Sequence, residues 1–178
     1  MKIRPQPPSL FARASGLLLH VTSLPAPFGV GDFGPVARTW VDLLASAKQR
    51  WWQMLPLGPP AAGDSPYQSY SAFAGNETLL SPEDLFADGL LERAELPPRS
   101  PLGPRVDFPR VNLQKARMVE AASQHFAAGA ARHLRSDFGE FAAREGHWLD
   151  DYALFMALKT AHAGGGGWDW PRRLMRRD

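Results

Sequence analysis

Two short apolar runs with an amphipathic segment between them constrain most strongly what this chain can fold into. Residues 16–21 and 51–57 are short apolar runs flanked by structure-breaking residues, a pattern typical of buried β-strands. Between them, apolar residues recur at helical spacing from Pro35, a favourable first residue of a helix, to about Gln49. The order strand, helix, strand predicts a right-handed βαβ unit with parallel strands, and therefore an α/β fold class.

Polar segments follow both predicted strands, at residues 20–25 and 58–76. Because ligands of parallel β/α units bind beyond the carboxyl ends of the strands, the two segments should lie side by side on one face. Prolines and glycines stiffen and turn the longer segment. Between them it presents uncharged hydrogen-bonding groups and aromatic rings, namely Ser65, Tyr67, Gln68, Ser69, Tyr70, Ser71 and Asn76.

This combination of side chains indicates the kind of ligand. Neutral donors and acceptors beside aromatic faces suit a neutral, hydroxyl-rich molecule better than a phosphate. Taken alone, such a loop is more often an ordinary surface connection, but its place at the strand ends favours a binding site. His20 could contact the same ligand, although a lone histidine there is more often a structural hydrogen-bond partner than a catalytic group. The glycine-rich turn at 28–34 lacks the lysine and hydroxyl of a phosphate-binding loop and is interpreted as a connection.

Composition excludes several classes of protein. The chain has 178 residues, a formal net charge of +2 and no cysteine. The small charge gives little support for nucleic-acid binding, and the arginines from Arg172 onward are interpreted as a solvated helix face. Without cysteine, disulfides and thiolate metal sites are excluded, which is compatible with a reducing compartment. No membrane-length apolar run or secretory signal is evident, so we predict a cytoplasmic protein with no membrane partner.

A proline-rich stretch separates two parts of different composition. The predicted division is a flexible lead-in at 1–14, the βαβ part with its polar loop at 15–96, a linker at 97–110 and a mostly helical part at 111–178. Further helices are predicted after a Ser81 cap at 82–88, and at 111–133, 137–145 and 148–162. The last of these is apolar on most sides, which predicts that it is buried.

No catalytic centre can be assembled from the sequence. Asp150 and Asp151 are adjacent, so on a helix they point apart and cannot clamp one bond. Asp64 is better explained as a turn residue before Ser65 and Pro66. The later histidines lack metal-ligand spacing, and no Ser/His/Asp arrangement is evident. We therefore predict a binding surface with no catalytic residue and no metal site in this chain.

Several motifs resemble one family, the amylomaltases, which are bacterial 4-alpha-glucanotransferases related to plant disproportionating enzyme. The motifs are Gly16-Leu17-Leu18-Leu19-His20 with Thr22-Ser23-Leu24-Pro25, Gly29-Val30-Gly31-Asp32-Phe33-Gly34, Trp52 to Pro59, Ser65-Pro66-Tyr67-Gln68-Ser69 with Ser71 to Asn76, and Trp148 to Lys159. The resemblance implies a (β/α)8 TIM barrel that needs no cofactor. It also implies transfer of segments of α-1,4-glucans to glucose or another glucan by a retaining double displacement. The partners implied are these glucans, maltooligosaccharides and glucose.

The resemblance also assigns roles to residues. Tyr67 would stack on the sugar next to the bond being cut and Ser65 would hydrogen-bond the glucan. With Gln68, His20 and Asn76 they form the expected substrate-binding set. The family's catalytic carboxylates lie on later barrel strands, so we interpret the chain as the amino-terminal portion. It would supply a partial barrel, the first two β/α units in 15–96, followed by a mostly helical insertion. By itself it should be inactive and unstable.

Three positions depart from the family pattern. Ala62 stands where some members carry a tyrosine of a second glucan site, Lys48 replaces a common glycine, and Asn112 occupies a position where some relatives place an aromatic residue. An alternative interpretation is a non-catalytic α-glucan-binding module that uses Tyr67 and Tyr70.

Overall fold

The computed structural model describes residues 13–61, 63–100, 103, 105–162 and 164–176. Its strands are β1 (Gly16–Leu18) and β2 (Trp51–Gln53). Its α-helices are α1 (Pro35–Ser46), α2 (Pro82–Ala87), α3 (Phe108–Ala127), α4 (Arg135–Ala161) and α5 (Arg172–Arg176). Short 3-10 turns cover Val21–Ser23, Glu77–Leu79, Arg93–Glu95, Arg132–Leu134 and Gly167–Asp169. Almost all of the predicted lead-in, Ala62 and part of the predicted linker lie outside the described residues.

The predicted βαβ unit is present. Strands β1 and β2 pair in parallel, with Gly16 opposite Trp51 and Leu18 opposite Gln53, and α1 connects them. A Cβ atom at Gly16 would lie 2.4 Å from the Trp51 carbonyl oxygen, so this close pairing requires a glycine. The architecture is thus a mixed helix and strand chain built around a small parallel sheet.

The strands are shorter and more exposed than predicted. Leu17, Leu18 and Trp51 are 46%, 60% and 42% exposed, so the expectation of buried strands was wrong. Parallel strands are buried where helices cover both faces, and the described sheet has only two strands. Apolar burial instead begins just beyond the strand ends, where Val21 and Leu24 form a core cluster with their neighbours. The cluster also contains Ala37 and Leu79, with Leu19, Val36, Trp40, Trp52, Met54 and Leu57 packed against it.

The glycine-rich turn is a packed connection, as predicted. Asp32 in this turn is 1% exposed, and its Oδ1 accepts a hydrogen bond of 3.0 Å from the Gly34 amide, where α1 is about to begin. Beyond the other end of α1, Lys48 has a φ of 60°, a left-handed conformation that glycine adopts without strain. The helix end therefore shows why a glycine suits this position better than the lysine found here.

A second core joins α2 and α3. Leu90 and Leu91, which follow α2, pack with Met118 and Ala122 of α3. The Ser81 cap of α2 is confirmed, since its hydroxyl accepts a hydrogen bond of 3.1 Å from the Asp84 amide. Helix α3 begins at Phe108, earlier than predicted, because the Asp107 carboxylate accepts from the Arg110 amide and caps it.

Helix α4 differs from prediction in length and in burial. The segments predicted at 137–145 and 148–162 form one helix, and Trp148 donates from Nε1 to Glu145 Oε2 at 2.8 Å across their junction. None of the helix's 27 residues, all of which the structure describes, is buried. The expected burial was therefore wrong, because the apolar side chains of α4 are only partly covered by neighbouring aromatic rings. None of the helices in the described ranges is both long enough and apolar enough to cross a membrane.

Candidate functional site

The carboxyl ends of β1 and β2 open into one cleft of about 230 Å³. Residues that follow β1, namely His20, Thr22 and Ser23, form one wall. Residues that follow β2 also line the cleft, together with Phe108 and Asn112 of α3. The two polar segments therefore meet at the strand ends, as the parallel topology predicts.

The loop after β2 is folded as a hairpin arm. Pro60 pairs with Ser69 in an antiparallel bridge, and the Ala61 amide donates to the Gln68 carbonyl at 2.7 Å. The Gln68 amide in turn donates to the Ser65 carbonyl at 3.1 Å, which closes the tip. Asp64 lies at this tip with a φ of 54°, in agreement with its predicted turn role. The arm thus has its own hydrogen-bonded framework.

Tyr67 lies on the outer part of this arm. It is 72% exposed and directly follows Pro66, which lines the cleft. An aromatic ring in this position is open to solvent instead of being part of the core. Ser65 is half-buried and Gln68 is exposed, and neither belongs to the cleft wall. Three of the five predicted binding residues therefore lie on the arm beside the cleft.

The other two predicted residues, His20 and Asn76, line the cleft itself. His20 is half-buried, its buried Nδ1 has no hydrogen-bond partner among the described residues, and burial lowers its pKa below 6.5. The imidazole is therefore neutral at pH 7. The Asn76 Oδ1 accepts a hydrogen bond of 2.9 Å from the Thr78 amide, so this side chain also caps the 3-10 turn Glu77–Leu79.

Tyr70 is 37% exposed and packs against α4. Its hydroxyl donates to the Ala61 carbonyl at 3.2 Å, its ring lies 5.9 Å from that of Phe155, and the Lys159 ammonium lies 4.9 Å from the ring centre. A few residues on, Phe73 stacks on Trp148 at 5.8 Å. The aromatic side chains of α4 thus attach this loop to the helix, and Tyr67 is the more exposed of the loop's two tyrosines.

Sequence reasoning missed the connections that α3 makes to the site. The Asn112 Nδ2 donates to Asp64 Oδ1 at 3.1 Å, and the Asn112 Oδ1 accepts from the Thr78 hydroxyl at 3.2 Å. In the sequence, Asn112 stands out only as a departure from the family pattern. The predicted helix 111–133 already places Asn112 in a first turn, but only the structure shows that this turn faces the loop.

An ion pair lies one turn further along α3. The Lys115 ammonium donates to Asp32 Oδ2 at 3.0 Å and to the Leu80 carbonyl, and both charged side chains are almost completely buried. Burial lowers the pKa of Lys115, while the Asp32 carboxylate acts in the opposite direction. A sequence signal existed, since Lys115 interrupts the otherwise apolar stripe of Val111, Met118 and Ala122.

The chemistry that the described residues offer is binding. Within the described ranges, no group of three histidine, aspartate or glutamate side chains is placed to hold a metal ion. Asp64 is the acidic residue of the described cleft wall, and its carboxylate is engaged by Asn112. Ala62, the position proposed to affect a second glucan site, lies outside the described residues.

Comparisons with known proteins agree with this arrangement. The family model described as 4-alpha-glucanotransferase matches residues 19–178. A 4-alpha-glucanotransferase of Thermus thermophilus is 47% identical over 167 residues, which cover 93% of this chain and 33% of that protein. A 4-alpha-glucanotransferase of Synechocystis is 42% identical, with the same coverage.

Solved structures give the same result. The amylomaltase from Streptococcus agalactiae in complex with acarbose matches with a TM-score of 0.82 and 35% identity, over 93% of this chain and 34% of that one. The chain thus spans about a third of the length of the relatives that it matches. The length and specificity of these matches place the chain in the 4-alpha-glucanotransferase family.

Proposed function

We propose that this chain forms the amino-terminal, sugar-holding portion of a 4-alpha-glucanotransferase. The whole enzyme would cleave an α-1,4-glucan and transfer the fragment to glucose or to another glucan by a retaining double displacement. In this proposal β1, α1 and β2 belong to the first two β/α units of a barrel, and the helical part from residue 111 is an insertion. Family membership and the parallel βαβ unit support it. The division at 97–110 and the cytoplasmic location stay predictions.

The observation that carries the proposal is the cleft at the strand ends with Tyr67 exposed beside it. At about 230 Å³, the cleft is smaller than the roughly 300–1,000 Å³ of pockets for drug-sized ligands, which suits a single sugar ring. In the proposed complex Tyr67 stacks on the ring, and Ser65, Gln68, His20 and Asn76 exchange hydrogen bonds with its hydroxyl groups. The neutral imidazole of His20 is suited to such a contact through Nε2, which donates or accepts according to the tautomer, because Nδ1 is buried.

The catalytic groups of this proposal come from outside the described cleft. A retaining glycoside mechanism uses two carboxyl groups about 5–5.5 Å apart on either side of the bond. Asp64, the acidic residue of the cleft wall, accepts a hydrogen bond from Asn112 and occupies a turn. The proposal therefore assigns binding to these residues, and it follows that the 178-residue chain alone should not transfer glucan.

Tyr67 provides the test. In the full-length protein, Tyr67→Ala should reduce kcat/KM for transfer from maltotriose at least about tenfold, or roughly 1.4 kcal/mol, because the stacking surface is lost. Tyr67→Phe keeps the ring and is the matched control, which should retain most of the activity. Release of glucose together with longer maltodextrins is the measurement. Full activity of Tyr67→Ala would contradict the proposed role.

The second candidate is a non-catalytic α-glucan-binding module. It is favoured by a cleft whose described wall offers hydrogen-bonding groups but no pair of carboxylates. Maltoheptaose binding by the 178-residue chain, measured by calorimetry and lost in Tyr67→Ala, would support this function if the full-length protein showed no transfer.

A further inference from the structure

Asn112 of α3 connects two segments that both line the cleft, the hairpin tip at Asp64 and the turn that contains Thr78. Its amide nitrogen donates to the carboxylate of Asp64 at 3.1 Å, and its amide oxygen accepts from the hydroxyl of Thr78 at 3.2 Å. The side chain is half-buried and lines the cleft. Both functional groups of the Asn112 amide are therefore used in joining neighbouring segments.

The Asp64 end of this connection is the adjustable one. Asp64 lies at the tip of the hairpin arm, three positions before Tyr67, and its φ of 54° is a left-handed conformation that aspartate adopts in turns. The tip is exposed on both sides of Asp64 and Ser65, at Gly63 and Tyr67. The hydrogen bond from Asn112 thus acts on a tip whose neighbouring residues are open to solvent.

The Thr78 end is the fixed one. Thr78 is 7% exposed and belongs to the 3-10 turn that Asn76 caps. Helix α3 is itself fixed one turn after Asn112 by the buried pair of Lys115 and Asp32. The connection therefore runs from a rigid part of the molecule to the tip of the loop.

We propose that Asn112 is a positioning residue that holds, through Asp64, the loop tip carrying Tyr67 in the orientation in which it receives a sugar. The proposal rests on the proposed function of Tyr67 as a stacking residue. Asn112 acts through Asp64. Loss of the link leaves the sheet in place but loosens the hairpin arm, including the hydrogen bonds of the Ala61 and Gln68 amides, and so releases the tip.

A reciprocal exchange of the two side chains tests the proposal. Asn112→Asp places a second carboxylate against Asp64, so attraction becomes repulsion. The double variant Asp64→Asn with Asn112→Asp restores one amide and one carboxylate with the hydrogen bond reversed. Aspartate at 112 can still accept from Thr78, and asparagine at 64 tolerates a positive φ.

Hydrogen exchange of the Ala61 and Gln68 amides in the full-length protein measures how firmly the arm is held. In Asn112→Asp these amides should exchange about tenfold faster, and in the double variant they should return to the wild-type rate. An unchanged rate in Asn112→Asp, or a double variant as fast as the single one, overturns the proposal. If Asn112→Asp does not fold, a folded and protected double variant supports the proposal, and a double variant that also fails to fold overturns it.

The KM for maltooligosaccharides separates this proposal from the function on which it rests. KM should rise in Asn112→Asp, with a smaller change in kcat, and recover in the double variant. A KM that changes in Tyr67→Ala but not in Asn112→Asp overturns the positioning role alone. A KM that changes in neither variant overturns the proposed role of Tyr67. The role of Asn112 in sugar binding is then overturned too, even if amide exchange shows that Asn112 holds the loop.

Discussion

The two long helices of this chain are attached to the rest of the molecule in different ways. Helix α3 has 20 residues and buries Val111, Lys115, Met118 and Ala122 along one stripe. Helix α4 is longer, with 27 residues, and buries none of them. The comparison teaches that length and apolar content do not place a helix in the core. A helix becomes part of the core when a continuous stripe of its side chains faces a packing partner, and α3 has such a stripe.

The difference also appears in how each helix contacts the candidate site. Helix α3 contributes Asn112 to the cleft wall and fixes its own position with the ion pair of Lys115 and Asp32. Helix α4 contacts the same loop through aromatic pairs, Phe73 with Trp148 and Tyr70 with Phe155. We therefore expect changes in the α3 contacts to affect the whole fold, and changes in the α4 contacts to act locally.

The largest effect is expected at Lys115. Lys115→Met leaves the Asp32 carboxylate buried without its cation, and breaking a buried ion pair in this way costs about 3–5 kcal/mol of unfolding free energy. Chemical denaturation of the purified protein measures this change.

The control for Lys115→Met removes both charges. Asp32→Asn combined with Lys115→Met keeps an acceptor for the Gly34 amide and should recover most of the lost stability. If Lys115→Met alone lowered the free energy of unfolding no more than a surface substitution does, the idea that the α3 contacts support the whole fold would be contradicted.

A smaller effect is expected where α4 meets the loop. A double-mutant cycle with Phe73→Ala and Trp148→Ala should give a coupling energy of about 0.5–1.5 kcal/mol, because the two rings are stacked at 5.8 Å. Amide exchange should show the loss around the loop and α4, with α3 unchanged. A coupling energy near zero would indicate that other contacts hold α4. A loss of amide protection throughout the molecule would show that α4, like α3, supports the whole fold.

The smallest effect is expected at His20, which lines the cleft. Because burial lowers the pKa of His20 below 6.5, the unfolded chain binds a proton before the folded chain does as the pH falls. The free energy of unfolding should therefore decrease as the pH falls below about 6.5 and level off below the folded pKa. Denaturation curves of the wild type at several pH values, compared with those of the His20→Gln variant, isolate the contribution of His20 to the pH dependence of stability. An identical pH profile in His20→Gln would indicate that the imidazole is not desolvated in the folded protein.

The predictable part of this protein was the part encoded in local patterns. The βαβ order, the α1 helix and the Ser81 cap follow from periodicity and capping residues, and all three are present. The meeting of the two polar segments followed from strand direction, since parallel strands end on the same side. The exposure of Leu17 and Leu18 could not be predicted in this way, because burial depends on what covers a strand and not on its own residues.

The sequence predicted where the candidate site lies, at the strand ends, but not how its side chains are arranged. His20 and Asn76 line the cleft, whereas Tyr70, which looks like Tyr67 in the sequence, packs against α4. Nothing local distinguishes the two tyrosines; the difference arises because α4 passes beside one of them. The sequence could not reveal the role of Asn112, because the hydrogen-bond partners of a side chain depend on which segments meet it in the fold.

The sequence by itself determined the family, the parallel βαβ unit and the position of a charge-poor loop at the strand ends. These features depend on residue periodicity, chain direction and composition, which are present before folding. Only the tertiary structure decided which side chains act together, because Asn112 meets Asp64 across 48 positions of sequence and Lys115 meets Asp32 across 83. Such partners are selected by the packing of α3 against the first part of the chain, which no local pattern specifies.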